Sequence, residues 1–135
     1  MSEAVKGLVV GHSSLAEGLV ASVRQISGAG EDALRAVSND GLGPEALQTA
    51  ARDALGEGGP GIVFTDLGSG SCAFAARHLA GDRPETAVVC GVNLPILLDF
   101  VFHRDLPLAQ LVDRLVEKGR AGITGACREA HEPCP

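Results

Sequence analysis

Val63-Phe64-Thr65-Asp66-Leu67-Gly68-Ser69-Gly70-Ser71-Cys72 reads as a short buried strand that stops at a carboxylate, opens into a glycine- and serine-rich turn, and restarts as a helix. A strand ending on an acid delivers a polar group to the edge of a sheet, and small residues in the turn let a ligand approach the backbone. Upstream, Ala4 to Val10 (AVKGLVV) is another apolar run of strand length, closed by Gly11 and His12. Ser14-Leu15-Ala16-Glu17 has capping-box spacing, so a helix is predicted to start there with Ser14 and Glu17 capping each other. Leu15, Leu19, Val23 and Ile26 form its apolar stripe, with Ala16 and Val20 beside them, and Gly28 and Gly30 stop it.

The same alternation continues along the chain. Ala33 to Val37 is a short second strand, and Pro44 opens a helix to about Leu55 with Leu47, Ala51 and Leu55 on one face. Ile62 to Thr65 is the third strand, Ser71 to Ala80 the third helix and Thr86 to Cys90 the fourth strand. Gly91-Val92-Asn93-Leu94-Pro95 is the exit loop, Ile96 to Phe102 a buried helix, and Pro107 opens a last helix with Leu108, Leu111, Val112 and Leu115 inward. Four strand–helix alternations predict an α/β fold: a doubly wound four-stranded parallel sheet with helices on both faces. Right-handed crossovers favour the strand order 2-1-3-4. In that order ligands sit outside the carboxyl ends of strands 1 and 3, where the order reverses. His12 ends strand 1 and Asp66 ends strand 3, so the topology sets these two side by side. One domain over residues 1–126 and a short tail, 127–135, are expected.

Composition narrows the function. The chain has 135 residues, 45% of them hydrophobic, with 18 Gly, 7 Pro, four Phe and neither Trp nor Tyr. Scarce aromatics argue against stacking on single-stranded nucleic acid. A net charge of −6 argues against duplexes and anionic membrane surfaces. No apolar run has the length of a membrane span and the start is no signal peptide, so a cytoplasmic location is expected. Cys72, Cys90, Cys127 and Cys134 then read as reduced thiols. Cys127, His131 and Cys134 resemble half a metal site without a fourth ligand, and read as a solvated tail.

A carboxylate beside an imidazole takes the Nδ1 proton and leaves the Nε2 lone pair facing solvent. Such a histidine can serve as a base, a metal ligand or a nucleophile. A helix N-terminus after Asp66 offers backbone N–H groups to an anion. With Gly70 and Ser71 nearby, the best-fitting guest is a phosphoryl group, and the combination is what reversible phosphorylation of a histidine such as His12 needs. The plain alternative makes His12 a turn residue and Asp66 an N-cap. The turn is neither a P-loop nor a nucleophile elbow. His78, His103 and His131 read as structural or solvated, and Cys72 and Cys90 as small core or loop residues.

Taken together, Gly11-His12-Ser13-Ser14-Leu15-Ala16, Phe64-Thr65-Asp66-Leu67-Gly68-Ser69-Gly70-Ser71 and Gly91-Val92-Asn93-Leu94-Pro95 resemble the IIA domain of the mannose-type (mannose/fructose/sorbose) family of the bacterial phosphoenolpyruvate-dependent sugar phosphotransferase system. The resemblance runs from about Val5 to Gly122. It implies a cytoplasmic phosphotransferase component that accepts a phosphoryl group from phospho-HPr on His12 and passes it to a histidine of a IIB domain. Asp66 would hold Nδ1, and Gly70 and Ser71 would cradle the phosphate. It implies no metal and no organic cofactor. It also implies a homodimer exchanging a C-terminal strand, here Gly122 to Ala126, and contact with the membrane only through transporter subunits. The family's Ser/Thr-His-Gly stands here as Gly11-His12-Ser13, and its Gly-Gly-Ser-Pro turn as Ser69-Gly70-Ser71-Cys72. His12-Ser13-Ser14 is also similar to the phosphocarrier subunit of dihydroxyacetone kinases. The alternative role is a phosphorylation-dependent regulatory module, or a carrier of that kinase type, not coupled to transport. A hydrolase with His12 as general base lacks a nucleophile.

Overall fold

Alternate residues of the first strand, β1 (Lys6–Gly11), part to opposite sides of a sheet, Val9 to one and Leu8 and Val10 to the other. The third strand, β3 (Gly61–Thr65), does the same, with Ile62 and Phe64 on the side of Val9 and Val63 on the opposite side. Strands buried on both faces need helices on both faces. The computed structural model, which describes residues 3–128, supplies five: α1 (Leu15–Ser27), α2 (Pro44–Leu55), α3 (Ser71–Gly81), α4 (Leu94–Phe102) and α5 (Leu108–Ala121). The remaining strands are β2 (Leu34–Ser38) and β4 (Thr86–Cys90). All pairings are parallel and the order is β2-β1-β3-β4, as the strand–helix alternation predicts.

The larger core joins α1, α4 and α5 to the Val9–Phe64 side through Val20, Val23, Leu97, Phe100, Leu111 and Leu115. The smaller one joins α2 and α3 to the Leu8–Val63 side through Leu47, Ala51, Leu55, Ala76 and Leu79. Phe64 and Phe100 meet edge to face with centroids 5.2 Å apart, a contact worth about 1 kcal/mol beyond its buried area. Gly7 makes room for it, because a Cβ there would stand 2.6 Å from the Phe100 ring.

Register decides where the site falls. Val10 lies opposite Val37 on one side and Thr65 on the other, and Thr65 lies opposite Cys90. The residues just past β1 and β3, including His12 and Asp66, therefore emerge at one end of the sheet, the carboxyl end.

Two expectations are corrected. The capping box at Ser14 and Glu17 does not form: Ser14 has φ −91° and ψ 9°, a turn rather than an extended cap, and makes no side-chain cap bond. The chain enters α1 through a turn in which the Leu15 N–H donates to the His12 carbonyl at 3.2 Å. Second, residues 122–126 form no strand in the single chain; they are exposed and irregular. A strand exchanged between copies would have its hydrogen-bonding partners on another molecule, so the isolated chain gives it no ladder to join.

The Asn93 loop proves to be a clamp. Asn93 Oδ1 accepts the Ile96 N–H at 3.1 Å and caps α4, while its Nδ2 donates to the Gly119 carbonyl of α5 at 3.0 Å. Asn93→Ala removes a cap and orphans a carbonyl, so a loss of about 1–2 kcal/mol is expected. A urea titration of the variant reads this as a lower midpoint with an unchanged slope.

Candidate active site

His12 leaves β1 directly after Gly11, and one carboxylate oxygen receives it twice. Asp66 Oδ2 lies 2.9 Å from the His12 backbone nitrogen and 2.7 Å from its Nδ1. The other oxygen, Oδ1, accepts the Leu67 N–H at 2.9 Å. Asp66 is therefore a hub for the loop after β1 and not the cap of α3, which starts five residues later. The carboxylate side chain is 9% exposed and the imidazole 42%. Burial is the largest effect on the Asp66 carboxyl and pushes its pKa up. The hydrogen bonds and positive partial charge from His12, with the Leu67 N–H, outweigh burial and hold it below the ordinary value. An ionised carboxylate only accepts, so Nδ1 carries the proton and the neutral ring keeps its lone pair on Nε2. Among the described residues Nε2 makes no hydrogen bond.

The next residue is bent to suit. Ser13 has φ +54°, a left-handed conformation that a side chain disfavours. Its N–H donates to Asn39 Oδ1 at 3.2 Å and its carbonyl accepts from Ser38 Oγ at 2.7 Å, so the end of β2 and the residue after it hold it on both sides. Ser13→Gly is expected to raise stability by up to about 1 kcal/mol, the relieved strain exceeding the extra unfolded-state entropy. The check is its chemical-denaturation midpoint.

The turn after Asp66 is braced from two sides. Buried Thr65 donates its hydroxyl to the Leu67 carbonyl at 2.7 Å, and Arg77 reaches back from α3 to the Gly68 carbonyl at 2.9 Å. Gly70 then takes φ +90° at the cap position, and no side chain caps α3. The amides of its first turn, from Ser71 onward, are left for an anion. Cys72, the second residue of α3, brings that helix start to the imidazole, with its Sγ 3.8 Å from Nδ1. Among the described residues neither Gly70 nor Ser71 makes a hydrogen bond to the His12 ring, whose partners are Asp66 and Cys72.

Comparison with known proteins places the chain in a family. The model of the family described as the fructose IIA component of the phosphotransferase system matches residues 6–117. The chain belongs to that family. Solved IIA structures of the phosphotransferase system share its fold. A phosphotransferase system component EIIA from Streptococcus agalactiae superposes with a TM-score of 0.83 at 21% identity, covering 90% of this chain and 96% of that one. The mannose/sorbose specific IIA subunit from Enterococcus faecalis gives 0.78 at 26% identity, covering 93% and 96%. The IIA protein associated with the fucose utilization operon of Streptococcus pneumoniae gives 0.76 at 21% identity, again covering 93% and 96%. No curated protein sequence matches the chain.

Within this IIA chain the other described histidines fall away from the site. His78 faces Asp82 one turn on in α3 at 3.6 Å, and His103 caps the end of α4 against Asp99. His131 and Cys134 lie outside the described residues, so the half metal site of the tail does too. Cys90 is half-buried with Arg77 at 3.8 Å. Cys72 is placed near the site by sequence reasoning as a small core or loop residue, but its contact with the imidazole is missed. It is fully buried in the smaller core, as expected, yet it also touches the imidazole. Burial first, and then the Asp66 charge, push its thiol pKa up against a smaller opposing effect of the Ser71 hydroxyl. The available signal was its position directly after the anion turn.

No helix among the described residues is long and apolar enough to cross a membrane.

Proposed function

We propose that the chain is a cytoplasmic phosphocarrier of a sugar phosphotransferase system, taking a phosphoryl group from phospho-HPr onto Nε2 of His12 and passing it to a histidine of a IIB domain. The observation that carries this reading is the 2.7 Å contact between Nδ1 and Asp66 on a half-exposed imidazole. It supports Nε2 as the nucleophile, since Nδ1 is engaged by the carboxylate and the ring is half-exposed.

The chemistry follows from the atoms. The Nε2 lone pair attacks phosphorus in line, the donor's phosphorus–nitrogen bond breaks, and its electron pair returns to the donor ring. Positive charge develops on the His12 ring as the new bond forms, and Asp66 stabilises it through the Nδ1 proton. The transferring group carries its charge on three oxygens, and the amides at Gly70, the cap of α3, and Ser71, its first residue, are the donors that would meet them. One phosphorus–nitrogen bond replaces another, so the step runs readily in both directions.

Leu15, Leu67 and Phe74 are exposed apolar side chains within a few residues of His12, Asp66 and Ser71 respectively. Such a rim suits a protein partner. The homodimer is proposed on a similar footing. Ile123 is exposed beside a groove between β4 and α5 lined by Val89, Ile96 and Val116, where a strand from a second copy would fit.

The test is incubation with phosphoenolpyruvate, enzyme I and HPr. One acid-labile, base-stable phosphate per chain is expected, and absence of label from the wild-type protein would sink the reading.

A further inference from the structure

Cys72, His12 and Asp66 each offer one metal-binding atom, and the three atoms lie within 4.8 Å of one another. We propose that this trio binds a thiophilic divalent cation of the Zn2+ class, and that cation binding and phosphorylation of His12 exclude each other. The binding stands on geometry alone, whereas the exclusion rests on the phosphocarrier reading.

The donors are one imidazole nitrogen, one carboxylate oxygen and one sulfur, a set that suits zinc rather than magnesium or calcium. Tetrahedral zinc, with Zn–N and Zn–O near 2.1 Å and Zn–S near 2.3 Å, keeps neighbouring donors roughly 3.3–3.7 Å apart. Here Nδ1 is 2.7 Å from Asp66 Oδ2 and 3.8 Å from Cys72 Sγ, and the carboxylate and the sulfur lie within 4.8 Å of each other, so shifts on the order of 1 Å convert the cluster into a site. The sulfur is buried and the carboxylate nearly so, while the imidazole is half-exposed and joins the cluster to solvent.

Exclusion follows from where the protons go. In the metal-free protein Nδ1 carries the proton that Asp66 accepts, and Nε2 has the lone pair. A cation needs the Nδ1 lone pair, so that proton leaves and the neutral ring is reprotonated at Nε2 through solvent. Cys72 releases its thiol proton to water as the thiolate forms, which a thiophilic ion can force on a thiol held neutral by burial. Asp66 contributes an oxygen without change of charge, and one proton is released overall. Nε2 now holds a hydrogen and has no electron pair for phosphorus. Conversely, a ring phosphorylated on Nε2 keeps its hydrogen on Nδ1 and has no electron pair for the cation. Each event weakens the other by the same factor.

The probe is Co2+, titrated into protein carrying Cys127→Ser and Cys134→Ser so that tail thiols cannot contribute. One equivalent is expected to give a thiolate-to-cobalt charge-transfer band that Zn2+ displaces. Cys72→Ser and Cys72→Ala are expected to lose the band and weaken binding by at least about 100-fold, beyond the loss of an outer partner. Zn2+ at ten times its dissociation constant should lower the initial phosphorylation rate about 11-fold. Phosphorylation of Cys72→Ser should be insensitive to the ion, which controls for any effect on enzyme I or HPr. Absence of the band, its survival in Cys72→Ser, or full-rate phosphorylation of zinc-loaded protein would each overturn the proposal. If metal-free protein takes no phosphoryl group, the phosphocarrier reading fails and the cobalt band alone decides the site.

Discussion

His12→Ala is expected to abolish phosphorylation completely, with no label above background after incubation with phosphoenolpyruvate, enzyme I and HPr. The substitution removes the only atom to which the phosphoryl group is assigned, and no neighbouring side chain can replace it. Cys72 is buried and lies beside Nδ1, on the wrong edge of the ring, and its thiol is held neutral. Stability should change by only about 1 kcal/mol, because the half-exposed ring contributes one hydrogen bond and Asp66 keeps the two backbone N–H groups it accepts. A folded but unlabelled variant thus separates chemistry from structure. His78→Ala and His103→Ala should label like the parent, and label persisting in His12→Ala would move the acceptor elsewhere.

Asp66→Ala should slow transfer by about 10–100-fold without abolishing it, the range seen when a partner orienting an imidazole is removed. The nucleophile survives, but its tautomer is no longer fixed and the charge developing on the ring loses its counter-ion. Asp66→Asn can still accept the Nδ1 proton but carries no charge, so it divides orientation from electrostatics. Rapid-quench measurement of a single phosphoryl transfer reads the difference; a rate equal to the parent's in Asp66→Ala would remove Asp66 from the reaction. The same residue leaves a signature in stability. Its folded pKa lies below the unfolded value of about 3.9. The stabilisation is therefore fully present above that unfolded value and is lost as pH falls through the lower, folded one. Asp66→Asn should flatten this acid limb of the stability curve.

His12 and Asp66 could be found from sequence because topology does the work. Once strands 1 and 3 are neighbours and parallel, residues immediately past their carboxyl ends must meet. What could not be read depends on contacts between segments far apart in the chain. Ser14 and Glu17 have the spacing of a capping box, but the demand that His12 face Asp66 sends the chain through a left-handed Ser13 and denies Ser14 the extended backbone a cap needs. Asn93 read as a loop residue because its second partner, the Gly119 carbonyl, lies 26 residues away. Cys72 read as a core residue and is one. Its contact with the imidazole depends on how the first turn of α3 sits against β1, which no local pattern encodes. Helix and strand ends shifted by a residue or two, as at β2, where the strand covers Leu34–Ser38 instead of Ala33 to Val37.

The most direct measurement is the position of phosphorus on the ring. Nitrogen-15 and phosphorus NMR of the phosphorylated protein, labelled at histidine, distinguishes the two ring nitrogens. Phosphorus coupled to Nε2 of His12, with the proton retained on Nδ1 toward Asp66, is the expected result. Phosphorus on Nδ1, or on any other residue, would contradict it.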